Sequence, residues 1–158
     1  TNLFGPSTTG YDQGDPETMK LWLQANRQFL RWADSLEDPV FYHWHHYERT
    51  HLNKMVERYG VDPRLAAVVL DRLEDLSPWA TKGYAFPAYG ESLKAIAKCL
   101  GFKWRQDDVT GVGSMALYMR FVESGSTDLI AKEKIIVYNE DDCFATMHIY
   151  DWVLAHDS

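Results

Sequence analysis

The segment from about Asp128 to Ala155 has the length and apolar patterning of a long packed helix, yet it carries Glu140, Asp141 and Asp142 in succession. At roughly 100° per residue, Ile135, Ile136, Cys143, Ile149, Tyr150, Val153 and Leu154 form one broad apolar arc. Asp142 falls inside that arc, flanked by Ile149 and Val153, and Tyr138, one turn earlier, borders it. Glu140, Asp141, His148 and Asp151 gather on the opposite side and read as a solvated face. Asp142 does not. An ionised carboxylate left alone among apolar neighbours is costly or shifts its pKa, so the fold must compensate it.

A second helix, predicted from about Tyr47 to Tyr59 and closed by Gly60, repeats the anomaly. Leu52, Met55, Val56 and Tyr59 make its apolar stripe, and four residues before Leu52 the same stripe meets Glu48. A carboxylate in a first helical turn answers the helix dipole and needs no further role. Two acids on the apolar faces of two helices invite a joint explanation. A shared cation would relieve both, and an all-oxygen donor set suits Mg²⁺ or Mn²⁺.

The chain of 158 residues can bury one real core, and 46% hydrophobic residues with 14% aromatics argue against disorder. One domain over residues 1–158 is the expectation. No apolar run reaches the ~20 residues of a membrane helix, and Thr1-Asn2-Leu3-Phe4-Gly5 lacks the marks of a signal peptide. Cys99 and Cys143 stand in apolar helical contexts, which predicts reduced, buried thiols and a cytoplasmic location. The net charge of −7 lacks the basic balance of a general DNA binder. It does not exclude a nuclease, whose acids are neutralised by metal ions.

Asp15-Pro16 is a cap-and-N1 start for a first helix, followed at helical spacing by Met19, Trp22, Leu23, Phe29, Leu30 and Ala33. Val40-Phe41-Tyr42-His43-Trp44 reads as a strand. Asp62-Pro63 begins a third helix running through Leu73. Residues 77–90 read as a structured loop with one helical turn. Ser92 to Leu100 is a short helix, and Ser114 to Glu123 another. A strand among several helices points to α/β.

With these placements made, Tyr138-Asn139-Glu140-Asp141-Asp142 resembles the third motif of DEDDy-type (DnaQ-like) exonucleases, Tyr-x-x-x-Asp. Together, "YHWHHYERT", "SLKAIAKCLGF" and "YNEDDCFAT" resemble the predicted nuclease family often labelled RecB-family nuclease, of ribonuclease-H-like fold. The likeness runs in order from Phe41 to Trp152. It implies a central sheet flanked by helices and two-metal-ion phosphodiester hydrolysis, with ions about 4 Å apart. By position, it implies that Asp142 ligates a metal, that Glu48 stands for the second motif's acid, and that Tyr138 orients the attacking water. The usual second motif ends in Asp, whereas this chain has Glu. The family's first motif, Asp-x-Glu on an N-terminal strand, has no match except Asp15-Pro16-Glu17, where proline speaks for a helix start. Leu3-Phe4-Gly5 resembles the strand that follows that motif, so the first motif is expected to be missing from this chain. The implied activity is a 3′–5′ exonuclease on DNA or RNA using two Mg²⁺ or Mn²⁺ ions, away from membranes. A helicase or another nuclease-complex component is the implied partner.

Asp75 resembles an acid that the family often carries after the second-motif helix; locally it would cap the Ser77-Pro78 turn. His43, His45, His46 and His51 form a local cluster, with His43 and His45 on one strand face, and aromatic-rich packing or substrate contact explains them more readily than a zinc site. Lys94, Lys98, Lys103 and Arg105 make a modest basic group suited to phosphate contact. The alternative to an enzyme is a non-catalytic ribonuclease-H-like module that binds nucleic acid or a partner protein.

Overall fold

The computed structural model describes residues 16–106 and 109–156. Leu3-Phe4-Gly5 and Asp15 lie outside the described residues, as do the side chains of Glu17, Met19 and Trp22. The elements are α1 (Pro16–Asp34), β1 (Phe41–His43), α2 (Tyr47–Tyr59), α3 (Pro63–Leu70), β2 (Leu73–Asp75), α4 (Ser77–Gly83), α5 (Leu93–Cys99), α6 (Gly111–Glu123) and α7 (Leu129–His156). They fall into two compact units that meet along the chain between Pro78 and Trp79.

In the unit that ends at Pro78, α1 and α2 both pack on α3. Leu30 and Ala33 of α1, Leu52 and Met55 of α2, and Ala66 and Val69 of α3 are buried. The strands β1 and β2 run parallel, with Phe41 opposite Leu73, Tyr42 opposite Glu74 and His43 opposite Asp75. The fold is thus α/β, with a sheet of two strands among the described residues. The third helix stops at Leu70, short of the expected Leu73, because Leu73-Glu74-Asp75 turns into β2. That strand is three residues long and bears two acids, so no run of β-formers announces it.

The helix starts follow local chemistry. Asp62 accepts from the backbone N–H of Arg64, with Pro63 at the first helical position. Ser92 caps α5 by accepting from Ala95, and Thr110 caps α6 by accepting from Gly113. Gly60 ends α2 at φ 60° and sends its N–H back to the carbonyl of Met55.

In the unit that begins at Trp79, α5 and α6 pack on α7. Ala131, Ala145, Ile149 and Val153 line the buried side of α7. Asp128 joins the two longer helices: its Oδ1 accepts from the N–H of Ala131 at 2.9 Å, and its Oδ2 receives Arg120 Nε at 2.6 Å. Residues 77–83 are helical for two turns where a single turn was expected. Cys99 is exposed, against the expectation of a buried thiol. No helix among the described residues is long and apolar enough to cross a membrane.

Gly60 has open space around the position of a Cβ, so replacing it adds backbone strain without a clash. Gly60→Ala should lower stability by about 1 kcal/mol in urea titration. An unchanged midpoint would show that the left-handed cap carries no weight.

Candidate active site

The acids of α7 divide differently from the helical-wheel expectation. Glu140 is exposed, as expected, but Asp141 is only 3% exposed and belongs to the buried flank. Ile136 and Leu154, placed in the apolar arc by the wheel, are exposed. The packed face of α7 is therefore narrower and rotated toward Asp141. Its charge is answered by Arg105, a partner 36 residues away in sequence. The Arg105 backbone N–H donates to Asp141 Oδ2 at 2.8 Å and its Nε donates to Oδ1 at 2.7 Å. Arg105 Nη2 reaches Glu140 Oε2 at 2.5 Å. Such charge-assisted, two-point contacts fix the segment after α5 against α7.

That attachment sets the neighbour of Asp142. Trp104 is buried, and its indole N–H donates to Asp142 Oδ1 at 2.9 Å. Tyr138, one turn earlier on α7, hydrogen-bonds the same carboxyl through its hydroxyl. Lys94 lies 5.4 Å from the centroid of the Trp104 ring and donates to the Val109 carbonyl at 3.0 Å. Burial lifts the Asp142 pKa from 3.8 to about 6, and the charge of Asp141 adds to the rise. The Trp104 bond, the Lys94 charge and the Tyr138 bond oppose it without cancelling it. Tyr138 is pushed up to about 12, by burial first and then by the Asp142 charge and their hydrogen bond. It remains a neutral donor near pH 7.

Glu48, Asp75 and His43 gather in the other unit. His43 Nδ1 lies 3.4 Å from Glu48 Oε2, close enough for an ion pair, and neither atom, both buried, has a hydrogen-bond partner among the described residues. Asp75 stands opposite His43 in the strand ladder. Its Oδ1 accepts from Ser77 Oγ at 2.7 Å, Ser77 N at 2.9 Å and His45 N at 3.0 Å, the local capping that the sequence favoured. Burial pushes the Asp75 carboxyl up, but those bonds and the neighbouring His43 outweigh it and leave the pKa below the ordinary value. His45 lies beyond the strand at φ 64°, so it does not share a strand face with His43. Burial lowers the pKa of His51, whose ring packs on Tyr47 at 4.2 Å.

The residues expected at a site thus gather in two groups, Tyr138, Asp142 and Lys94 in one unit and Glu48 and Asp75 in the other. Lys98 and Lys103 are exposed. Arg105 is engaged with the acids of α7, so its contacts are internal. Among the described residues, no three His, Cys, Asp or Glu side chains converge closely enough to hold a metal ion unaided. The donor chemistry nevertheless fits a divalent cation: among the described residues Glu48 has a buried oxygen without a hydrogen-bond partner, and the desolvation of Asp142 is only partly offset by its neighbours. Trp104 and the Arg105–Asp141 pair escaped the sequence reading. No helical period connects residues that far apart, and the adjacent Trp-Arg and Asp-Asp pairs were the sole signal.

Two stability experiments check this geometry. Because the folded Asp142 binds its proton more tightly than the unfolded chain does, stability from this group falls as pH rises from about 4 through about 6. In EDTA at pH 7, Asp142→Asn, which keeps an acceptor for Trp104, should stabilise the protein by about 1–3 kcal/mol, with the gain vanishing near pH 4. Destabilisation at pH 7 would contradict the desolvation reading. Arg105→Ala strands the buried Asp141 charge and should lower the melting midpoint, while adding Asp141→Ala should restore part of the loss. Additive losses would show the two residues to be uncoupled.

A model of the RNase_H_2 family, described as RNase_H superfamily, matches residues 7–154 and so includes every residue of both groups. No curated protein and no solved structure gives a significant match. The match spans nearly the whole chain, and the chain therefore belongs to the RNase_H_2 family of the RNase_H superfamily.

Proposed function

We propose that this protein is a divalent-metal-dependent nuclease that hydrolyses phosphodiester bonds of DNA or RNA, acting as a 3′–5′ exonuclease. Membership of the RNase_H superfamily supports a nuclease-type function. The observation that carries the finer reading is the setting of Asp142. Its carboxyl is half-buried, raised to about 6 by burial, and held in one orientation by Trp104 and Tyr138. A structural acid in such a place would be neutralised by a close cationic side chain, as Asp141 is by Arg105. Among the described residues the donors in hydrogen-bond contact with Asp142 are neutral, and the Lys94 charge nearby does not cancel the effect of burial.

Asp142 in one unit and Glu48 in the other are each a residue that would hold a divalent ion. Such ions, when bound, stabilise the charge that builds on the attacking and leaving oxygens of a phosphodiester. The chain's own groups do the rest. Trp104 fixes the rotamer of Asp142 by occupying Oδ1. Tyr138 keeps its proton near pH 7, so it is no general base. Its hydroxyl donates to Asp142, and the oxygen's lone pairs remain suited to accept from a water and orient it. Lys98 and Lys103 are exposed, and their positive charge suits contact with the phosphate backbone.

The test is hydrolysis of end-labelled DNA and RNA strands by the full-length protein with Mn²⁺ or Mg²⁺. Asp142→Asn should reduce the rate by about 1,000-fold, equivalent to about 4 kcal/mol of transition-state stabilisation. Tyr138→Phe should lower kcat with a smaller change in KM. Full activity in Asp142→Asn would refute the assignment. Nucleic-acid binding by wild type without cleavage would favour a non-catalytic module instead.

A further inference from the structure

At the junction between β1 and α2 the nuclease reading uses Glu48 but gives its close neighbour His43 no role. His43, the last residue of β1, is 6% exposed, and its Nδ1 faces Glu48 Oε2 in the first turn of α2 at 3.4 Å. Neither atom has a hydrogen-bond partner among the described residues. Leaving buried polar atoms without such a partner is costly. Here two of them face each other, one an imidazole nitrogen, which offers a lone pair in its deprotonated form, and one a carboxylate oxygen. The separation exceeds that of a good hydrogen bond. It matches the edge of a coordination shell, because two donors about 2.0–2.1 Å from one ion stand roughly 3.0–3.4 Å apart.

The surroundings hold both side chains in place. Asp75, opposite His43 in the ladder, is pinned by Ser77 and by the N–H of His45. His45 takes a left-handed φ of 64°, a strained conformation for a residue with a side chain, and thereby turns the chain from strand into helix within three residues. Tyr47 and His51 pack together on α2 beside Glu48. Asp75 adds negative charge near the imidazole, which favours a cation there.

We propose that His43 Nδ1 and Glu48 Oε2 jointly ligate one divalent ion, and that this imidazole–carboxylate pair makes the site prefer a first-row transition ion such as Mn²⁺ over Mg²⁺. The inference rests on the reading of Glu48 as a metal ligand and adds His43 as its co-ligand. Mg²⁺ takes oxygen donors almost exclusively, whereas an imidazole nitrogen strengthens transition-ion binding. Water and substrate phosphate oxygens complete the shell, which explains how two protein donors suffice.

The experiment is isothermal titration of Mn²⁺ and, separately, Mg²⁺ into the wild-type protein, His43→Gln and Glu48→Gln, without nucleic acid. His43→Gln should weaken Mn²⁺ binding by about 10-fold or more and leave Mg²⁺ binding unchanged; Glu48→Gln should weaken both. Since a buried substitution can impair folding, a second measurement uses wild type alone. Substoichiometric Mn²⁺ should broaden the imidazole ¹H–¹⁵N resonances of His43 before those of His46. Wild-type Mn²⁺ affinity in a folded His43→Gln, or sharp His43 resonances at saturating Mn²⁺, would overturn the proposal. Neither readout involves hydrolysis, so failure here and failure of the nuclease reading appear in separate experiments.

Discussion

Asp141, a carboxylate with almost no access to water, is closed by the backbone N–H and the side chain of Arg105. That pairing ties the segment leaving α5 to the long helix α7. A buried charge is tolerable only with such a partner, and once the partner is fixed its chain neighbours are fixed too. Trp104 precedes Arg105 and Asp142 follows Asp141, so the indole and the second carboxyl meet as a consequence. One acid supplies the attachment and the next is held in a defined place with its pKa raised.

The other acid of interest, Glu48, is held by different means. A three-residue parallel ladder sets His43 against Asp75, and a left-handed residue then starts α2 almost at once. The first turn of α2 is thereby brought back over the end of β1. A left-handed residue, a short ladder and two buried atoms with no hydrogen-bond partner among the described residues converge at this junction, the place of the cation site proposed above.

Much of this was legible in the residues. The helices α3 and α5 begin where Asp62-Pro63 and Ser92 place them, and α2, which starts without a side-chain cap, follows the apolar period and ends at its glycine. The position of Asp142 on the packed side of α7 follows from the same period. What local patterning could not supply was any pairing across tens of residues. Asp141 looked solvated because the wheel assigned a broad apolar arc from side-chain type alone, including Ile136 and Leu154, which are exposed. Its true partner, Arg105, had been assigned to phosphate contact. The strand β2 was hidden because tertiary pairing with β1, not composition, makes Leu73-Glu74-Asp75 extended. Tyr47-Glu48 was a weak motif in sequence, and its interest comes from the His43 contact seen only in three dimensions.

The central claim is that Asp142 is a metal-binding carboxylate waiting for a cation, and not merely a structural acid satisfied by Trp104 and Tyr138. Anomalous scattering from crystals of the full-length protein grown with Mn²⁺ and a short nucleic-acid strand tests it most directly. The account predicts a manganese peak within coordination distance of an Asp142 oxygen. Saturating Mn²⁺ with an ordered strand, and no peak at Asp142, would contradict it.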